Sequence, residues 1–306
     1  MRPVAPISVW GAHARRFAQC HVSAHVMAVF ARSFHVEARG DFVCIGDASI
    51  GKGPLNAIVD DGVGWAWAAR HLPAEGAEVR IGEGGIKCGR AAFATAETSI
   101  WRPPPWPRSG ERRVLMHALD DLDRLACEEA PVDGIARVVL GSASLPSSAL
   151  ARVAGPRVAR LREWASARLT RLTHEPAPVD LLGLGPGLTP SGDDLLCGAL
   201  VALRDMGQVD AARDLHAAIA AAAPLATTPL SAAFLRAAAE GHSSEALHRT
   251  IIALLEHQSV ARYVKVVAGI GHTSGWDALA GAVLVLRTFG SMTGQVWRVA
   301  RPSISL

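Results

Sequence analysis

The sequence lacks the cysteine spacings that build disulfide frameworks or zinc knuckles. Its five cysteines are scattered through 306 residues, are odd in number, and form no Cys-x-x-Cys pair. Disulfide-rich secreted domains carry even sets of cysteines, and zinc knuckles need paired ligands at short spacing. We therefore expect free thiols and a reducing, cytoplasmic environment.

The chain also has no long apolar run and no block of like charges. The N-terminal segment has no extended hydrophobic stretch after its first charges, so no secretory signal is predicted. The longest uncharged stretch, Leu215–Leu235, is interrupted by Pro224 and Pro229, which disfavours a membrane span. The 31 basic and 28 acidic residues are interspersed without a basic stripe. Nucleic acid and membranes are therefore not expected as partners.

The composition and patterning indicate two regions of different secondary structure. Half of the residues are hydrophobic, which suits one or two domains with a sizeable core. From residue 23 to about 101, short alternating segments separated by glycine and aspartate predict an antiparallel β region. Residues 102–110 hold four prolines in six positions and predict a stiff, extended linker. We place the domain boundary there, with a β-rich domain at 1–105 and a helical domain at 106–306.

After this linker the apolar residues recur every three or four positions, which predicts a mostly α-helical second half. Thr228 is a predicted N-cap, and Ser231 lacks the Gly-x-Ser-x-Gly context of a hydrolase nucleophile. The predicted fold class is α+β, with the antiparallel β region followed by a helical domain that carries an internal loop-helix repeat. The predicted helices span about 111–130, 148–173, 191–206, 208–222, 229–240, 243–257 and 274–289.

An internal repeat surrounds a segment rich in glycine. The segment GPGLTPSGDDLLCGALVALR (185–204) recurs as GIGHTSGWDALAGAVLVLR (269–287) once Pro190 is treated as a one-residue insertion. Eleven positions are identical, and they include glycine, threonine, serine and aspartate in register. A duplicated structural hairpin would keep its apolar face and its helix caps, but it need not keep both Gly-x-Gly pairs and both threonines. The repeat therefore favours a binding role over a structural one.

Each copy begins with the features of an anion site. Glycines before a helix allow positive φ and a close approach of the backbone to a ligand. Ser191 and Ser274 are predicted N-caps, and Asp194 and Asp277 complete a Ser-x-x-Asp capping box in each copy. The two helix starts should then expose N–H groups that favour phosphate or carboxylate.

Close packing of the two helices would unite these loops in one site. The small residues Gly198 and Gly281, one turn further in, would let the helices approach each other. We predict that the two loops come together around one small anion such as phosphate, carbamoyl phosphate or an oxamate-like carboxylate. The predicted anion-binding residues in the repeat are Gly185, Gly187, Thr189, Pro190, Ser191, Gly192, Gly271, Thr273, Ser274, Gly275 and Asp277.

The two copies differ where a chemical step would need different groups. The first copy carries Asp193 beside Asp194, and the second carries His272. These three side chains are the predicted catalytic residues, because a carboxyl group or an imidazole can transfer a proton. The sequence requires no cofactor and no metal. Adjacent Asp193 and Asp194 nevertheless admit Mg²⁺ beside a phosphate, the alternative being that Asp194 caps the helix and Asp193 faces water.

A weaker signal lies in the β-rich half. The segment GDASIGKG (46–53) matches the start of a nucleotide-binding P-loop, but Gly53 replaces the required serine or threonine. Pro54 then leads into a predicted strand, whereas a P-loop needs a helix there. We therefore exclude a P-loop and keep two possibilities for Lys52, which either contacts an anion across the domain boundary or is a solvated turn lysine.

The repeat and one segment between its copies carry a resemblance to a known family. The segments are GLGPGLTPSGDDLLCGAL, TTPLSAAFLRAAAEG and GIGHTSGWDALAGA, and together they resemble the AllH-type family of bacterial proteins, named for the oxamate carbamoyltransferase subunit AllH. The resemblance is specific over about 181–290 and looser in the β half, where GKGPLNAIV is similar to the Gly-Pro turn of the family.

This resemblance implies a function and partners. It implies a cytoplasmic subunit that works with two others, AllF, which is similar to an acyl-CoA ligase subunit, and AllG. The complex would phosphorolyse oxalurate to oxamate and carbamoyl phosphate in allantoin and purine catabolism. Carried over by motif, the resemblance places Gly185, Gly187, Thr189, Ser191, Gly192, Asp194, Gly271, Thr273, Ser274 and Asp277 around the anion.

Three hypotheses follow for the chain. The first is an enzyme subunit of carbamoyl transfer, in which the helix starts stabilise developing negative charge. The second is a non-catalytic subunit that binds an anion or assembles the complex. The third is a Mg²⁺-dependent hydrolase or kinase that uses Asp193 and Asp194.

Overall fold

The contacts within the chain divide it into two units, Met1–Pro103 and Pro104–Leu306. The computed structural model describes residues 4–20, 22–59, 63–82, 84–95, 99–141, 148–170, 175–292 and 294–299. The division falls inside the proline-rich segment. Each unit has its own hydrophobic core among the described residues.

The first unit is a closed barrel of eight strands. The ring runs β5-β4-β3-β2-β6-β7-β8-β1, β1 pairs with β5 to close it, and β9 lies beside β1. Large apolar side chains such as Trp10, Phe34 and Phe93 fill its core. The strands are β1 Ala5–Gly11, β2 Ser23–Phe30, β3 Ser33–Ala38, β4 Asp41–Gly46, β5 Asn56–Val59, β6 Glu78–Gly82, β7 Gly85–Cys88, β8 Ala91–Ala94 and β9 Ser99–Trp101, and the helices are α1 Ala12–Cys20 and α2 Val63–Ala69.

The strand pairing of this unit differs from the predicted antiparallel arrangement. Strand β1 is antiparallel to β5 but parallel to β8 and β9, and β4 is parallel to β5. The sheet is therefore mixed. The physical reason is that closing the ring joins strands distant in the chain, whose direction is set by their connections and not by the alternation within each strand.

The described residues of the second unit form eight α-helices and a two-stranded ribbon. The ribbon pairs β10 Ser109–Glu111 with β11 Val296–Arg298. Of these helices, none combines the length and apolar composition needed to cross a bilayer. The helices are α3 Arg112–Glu129, α4 Ala149–Leu169, α5 Ser191–Asp205, α6 Val209–Ala226, α7 Pro229–Ala239, α8 Glu245–Leu255, α9 Ala261–Ala268 and α10 Ser274–Met292.

The prediction of a β-rich region followed by a helical region is confirmed. All seven predicted helices of the second half are present within a few residues, although 171–173 of the second one lie outside the described residues. Helix α9 was not predicted, and helices α1 and α2 interrupt the β-rich half. Thr228 is the N-cap of α7, as predicted, and its hydroxyl accepts from the Ser231 N–H at 3.0 Å.

Helices α5 and α10 pack tightly against each other in the second unit. A Cβ at Gly198 would overlap the carbonyl oxygen of Ala278, and a Cβ at Gly281 would overlap that of Leu195. The contact is reciprocal, because each glycine admits the backbone of the other helix. Nearly all of both helices is buried, as expected for sequences that are apolar on every face. This crossing fixes the spacing of the two helix starts.

The proline-rich segment is anchored to the second unit by its tryptophan. Trp106 is 4% exposed, and its indole Nε1 donates a hydrogen bond of 2.9 Å to Nδ1 of His248 on α8. The stiff linker predicted from composition therefore also contributes a side chain to the helical core.

Candidate functional site

The two glycine-rich turns meet at the starts of α5 and α10. The Thr189 and Ser274 hydroxyl oxygens are 3.2 Å apart, and those of Ser191 and Thr273 are 3.3 Å apart. Each contact joins a threonine of one turn to a serine of the other turn, so the two hydroxyl pairs are equivalent in the repeat. The prediction that the two turns come together is therefore correct.

The glycines of these turns adopt conformations that side chains disfavour. The φ angles of Gly185, Gly187 and Gly271 are 117°, 95° and 59°. Gly187 and Gly271 are exposed, and their amide N–H groups have no hydrogen-bond partner among the described residues. Gly269, the counterpart of Gly185 in the sequence repeat, differs because it ends α9 with a φ of −79°. The two turns thus present exposed amide groups but are not identical in backbone.

The serines at the helix starts do not cap them, contrary to the sequence prediction. Helix α5 has Pro190 as its N-cap, with no side-chain hydrogen bond, and Ser191 is the first helical residue. Ser274 is likewise the first residue of α10. The reason is that each serine hydroxyl contacts the threonine of the opposite turn, and these contacts arise only in the folded protein.

The amide groups of Gly192 and Gly275 are also used within the chain. They donate to the carbonyl oxygens of Leu184 and Ile270 at 2.9 and 3.0 Å. A Cβ at Gly192 would overlap the carbonyl oxygen of Leu181, and Gly275 has the same relation to another backbone carbonyl. The predicted free N–H groups are therefore not found at these two positions, where glycine serves close backbone packing.

Two aspartates lie next to the hydroxyl pairs. The Asp194 carboxyl group interacts with the hydroxyls of Ser274 and Thr189. The Asp277 carboxyl group interacts with those of Ser191 and Thr273. Each aspartate thus contacts one hydroxyl from its own turn and one from the other turn, so the two aspartates occupy equivalent positions in the repeat.

The Asp277 side chain is held from a third segment. Asp277 is 0% exposed, and its Oδ1 atom accepts from the backbone N–H of Ile135 at 2.9 Å. Residue Ile135 precedes a short 3₁₀ turn, Ala136–Val138, and no sequence pattern linked this turn to the repeat. The Oδ2 atoms of Asp277 and Asp194 are buried and have no hydrogen-bond partner among the described residues.

Burial raises the pKa of both carboxyls of this pair. It raises the pKa of Asp194 well above its usual range, and the negative charges of Asp277 and Asp193 add to the rise, against the opposing hydroxyl of Ser274. Burial also raises the pKa of Asp277, although hydroxyl and amide donors oppose this shift. Both shifts have the same direction, because burial disfavours the ionised form of each carboxyl.

Asp193 belongs to a separate hydrogen-bond network. It is 0% exposed, its Oδ1 atom accepts from the Gly183 N–H at 2.6 Å, and its Oδ2 atom accepts from the Ser231 hydroxyl at 2.6 Å. The Thr227 hydroxyl also donates to Oδ2. Asp193 therefore does not face water, and it ties the start of α5 to the first turn of α7 and to the residue Thr227 before it. Its catalytic role and the magnesium site with Asp194 stay predictions.

His272 lies on the outer side of the second turn. Its side chain is 77% exposed, and its Nε2 atom is 2.7 Å from an Asp133 carboxylate oxygen. The proton-transfer role of His272 stays a prediction, and Asp133 is a partner that the sequence did not reveal.

Lys52 belongs to the first unit, whereas the paired turns belong to the second. Lys52 is half-buried, follows the 3₁₀ turn Ala48–Ile50 in the first unit, and precedes strand β5. The strand confirms that no P-loop helix follows it, and its anion contact stays a prediction. A depression at the β10–β11 ribbon is lined by Glu111, Arg112, Arg113, Gly294, Gln295 and Val296, none of which is a predicted site residue.

The fold and the site together define an α+β protein whose helical unit carries two paired turns at the starts of its central helices. Residues 181–286 match the family model of the oxamate carbamoyltransferase subunit AllH. This match confirms the resemblance to the AllH-type family over the segment that contains both turns. No solved structure matches the chain significantly.

Proposed function

We propose that the chain is a subunit of a carbamoyltransferase and that its two paired turns bind a small anion, either phosphate or carbamoyl phosphate. The matching family model describes the oxamate carbamoyltransferase subunit AllH. The observation that carries the proposal is the pairing of the turns through Thr189 with Ser274 and Ser191 with Thr273. A purely structural duplication does not require both turns to meet through hydroxyl groups.

The turns offer the donors that an anion needs. Exposed glycine amides at Gly187 and Gly271 and the serine and threonine hydroxyls can all donate to phosphate oxygens. The positive ends of the α5 and α10 dipoles favour a negative group at the same place. Burial raises the pKa of Asp194 and Asp277, and this direction favours the neutral form, which repels an anion less.

The reaction would be phosphorolysis of oxalurate. A phosphate oxygen forms a bond to the carbamoyl carbon, the bond between that carbon and the oxamate nitrogen breaks, and the nitrogen takes a proton. The amide and hydroxyl donors would stabilise the negative charge that develops on the carbamoyl oxygen. Asp194 or His272 would supply the proton. Subunits similar to AllF and AllG would complete the enzyme.

The activity of the reconstituted complex tests this proposal. Asp194→Ala and Ser274→Ala should each lower carbamoyl transfer by about 100-fold or more, because each removes a group at the reacting centre. Ser291→Ala, at the exposed C-terminal end of α10, is the matched control and should keep full turnover. Wild-type turnover in both site variants, with the fold intact by circular dichroism, would refute the proposal.

Calorimetric titration separates a catalytic subunit from an assembly subunit. Phosphate, oxamate and carbamoyl phosphate are added to the chain alone and then to the chain with its partner subunits. Binding of the phosphate-containing ligands by the chain alone supports the proposal. Heat that appears only when partner proteins are added, with no anion effect, would favour the assembly role.

A further inference from the structure

A third segment of the helical unit packs against the second turn and the start of α10. It consists of three consecutive residues, Asp133, Gly134 and Ile135. The Ile135 N–H donates to Oδ1 of Asp277 at 2.9 Å. The backbone of Gly134 lies against Thr273 and Asp277, because a Cβ added to this glycine would be 3.0 Å from an atom of each. Gly134 and Ile135 are buried, so these contacts fix the place of the exposed Asp133 beside the turn.

The Asp133 carboxylate contacts the imidazole of His272. The Nε2 atom of His272 is 2.7 Å from Oδ2 of Asp133. A carboxylate accepts hydrogen bonds and donates none, so Nε2 carries the hydrogen of this contact. In a neutral imidazole the other nitrogen, Nδ1, is then an acceptor. Nδ1 of His272 has no hydrogen-bond partner among the residues that the structure describes.

The imidazole lies next to the proposed anion contacts. His272 directly follows Gly271, whose exposed amide is one of them, and its own side chain is exposed. Neighbouring Cα atoms are about 3.8 Å apart, so a phosphate at the Gly271 amide is within reach of the imidazole. The first turn has Leu188 at the equivalent position, and leucine cannot transfer a proton. The histidine therefore gives one side of the site a group that the other side lacks.

We propose that Asp133 is a positioning residue that keeps the hydrogen of His272 on Nε2, so that Nδ1 transfers the proton of the carbamoyl-transfer reaction. This inference rests on the proposed function. It selects His272 over Asp194 as the proton-transfer group, and the Oδ2 atom of Asp194 is buried, whereas the imidazole is exposed.

The phosphate supplies the proton that the leaving nitrogen needs. Nδ1 accepts the hydrogen of the phosphate hydroxyl while the phosphate oxygen forms its bond to the carbamoyl carbon. The bond from that carbon to the oxamate nitrogen then breaks, the nitrogen keeps the electron pair, and Nδ1 returns the hydrogen to it. Between these events the ring is positively charged, and the Asp133 carboxylate stabilises it through the Nε2–H bond. The imidazole ends as it began, so no further reactant is required.

A glutamine at position 272 separates the chemistry from the contact. Its NH₂ group can still donate to the Asp133 carboxylate, but it cannot accept and return a proton. In the reconstituted complex, His272→Gln should lower kcat by about 100-fold or more, since proton transfer by a positioned side chain contributes at least that much. The KM for phosphate should stay within about twofold of wild type. Added imidazole should restore part of the turnover of His272→Ala.

Two substitutions of Asp133 test the positioning role. Asp133→Ala removes the acceptor that fixes the ring, so kcat should fall by about tenfold or more at an unchanged KM. Asp133→Glu keeps a carboxylate on a longer side chain and should recover most of this loss. An exposed pair contributes little to stability, so both variants should unfold at the same urea concentration as wild type.

Asp121→Ala is the matched control for Asp133→Ala. Asp121 belongs to another exposed pair, in which the Nε2 atom of His117 is 3.9 Å from its carboxylate oxygen. Both residues lie on α3, outside the two turns. This variant should keep the wild-type kcat. An equal fall of kcat in Asp121→Ala would show a general effect of surface charge and would overturn the assignment.

Nitrogen-15 NMR of the chain alone reads the ring directly and needs no activity, because a ring nitrogen with a hydrogen and one without differ in chemical shift. The His272 signals are identified by their loss in His272→Gln. At about pH 8.5, above the usual titration range of histidine, the wild-type ring should carry its hydrogen on Nε2, and Asp133→Ala should show both tautomers. A wild-type hydrogen on Nδ1, or an unchanged ring in Asp133→Ala, would overturn the inference.

The kinetic results separate this inference from the proposed function. Loss of kcat in His272→Gln and Asp133→Ala, with recovery in Asp133→Glu, supports the inference. Wild-type kcat in His272→Gln overturns it, and the proposed function then stands or falls with Ser274→Ala. A higher KM at unchanged kcat in Asp133→Ala assigns the pair to binding and overturns the inference as well. Absence of carbamoyl transfer by the wild-type complex overturns both.

Discussion

At the residue scale, adjacent aspartates of one helix start have different surroundings. The Asp193 carboxylate receives one amide and two hydroxyl donors, which hold segments separated in the chain. Asp194 lies beside the hydroxyls that join the two turns and keeps one open oxygen. The helical rotation between neighbouring residues separates these roles, since successive side chains point in different directions.

The hydrogen bonds of Asp193 predict that removing its carboxylate lowers the stability of the fold. Asp193→Ala leaves the Gly183 amide and the Thr227 and Ser231 hydroxyls without their acceptor, which should lower the free energy of unfolding by about 3 kcal/mol. Urea denaturation measures this change. Asp210→Ala, at an exposed position in the first turn of α6, serves as the control and should change stability by less than about 0.5 kcal/mol. A loss as small as that of the control would refute the structural role.

Asp205 predicts how stability depends on pH. Burial raises its pKa to about 7, although the positive charges of Arg108 and Arg204 oppose the shift. Between about pH 4 and pH 7 the folded protein keeps a proton that the unfolded chain has lost, so this group makes the folded state less stable as pH rises. The effect is complete above pH 7.

Replacing Asp205 by asparagine tests that dependence. Asp205→Asn should be stabilised relative to wild type at pH 8, by on the order of 1 kcal/mol or more, and by much less at pH 4. Urea denaturation at both pH values gives the comparison, in which the contributions of Asp194 and Asp277 cancel. An advantage of the variant that is equal at the two pH values would contradict the assigned pKa.

At the element scale, the crossing of α5 and α10 determines where the turns lie. Gly198 and Gly281 admit the backbone of the opposite helix, and the helix starts lie on the same side of that contact. The hydroxyl pairs form about two turns away, at the first residues of the helices. The spacing of the site therefore depends on two positions that carry no chemistry themselves.

Enlarging one of these glycines should separate the helices. A Cβ in Gly281→Ala would overlap the Leu195 carbonyl oxygen, which is backbone and cannot rotate away. We expect a loss of about 3 kcal/mol or more in unfolding free energy, measured by urea denaturation.

Gly290→Ala, on the same helix, provides the comparison. The nearest atoms to a Cβ at this position belong to the Met116 and Leu115 side chains, with the closest at 3.1 Å. A methionine side chain is flexible and can yield, and alanine favours the helix. This variant should lie within about 1 kcal/mol of wild type. Equal stability of the two variants would exclude tight helix packing at Gly281.

The elements were more predictable from the sequence than their pairing. Apolar spacing of three and four residues located seven helices, and the capping threonine Thr228 marked the start of α7 correctly. Helix α9 was missed because it has eight residues and its N-cap, Val260, makes no side-chain capping bond. The parallel pairing of β1 with β8 was not predictable, because it joins strands about 80 residues apart.

At the scale of the whole molecule, the sequence repeat predicted where the two turns meet. The contacts within the site depend on the folded structure and were not predicted. In-register identities between 185–204 and 269–287 indicated that two turns would meet, and they do. Ser191 and Ser274 do not cap their helices as predicted, because their hydroxyls contact the threonines of the opposite turns. The Ile135 amide reaches Asp277 across 142 residues of sequence, a contact that no local pattern encodes.

A structure of the chain with carbamoyl phosphate would test the central claim most directly. The account predicts that one ligand contacts both turns, with its phosphate at residues 185–191 and 271–274. A ligand held by a single turn, or bound elsewhere on the chain, would contradict it.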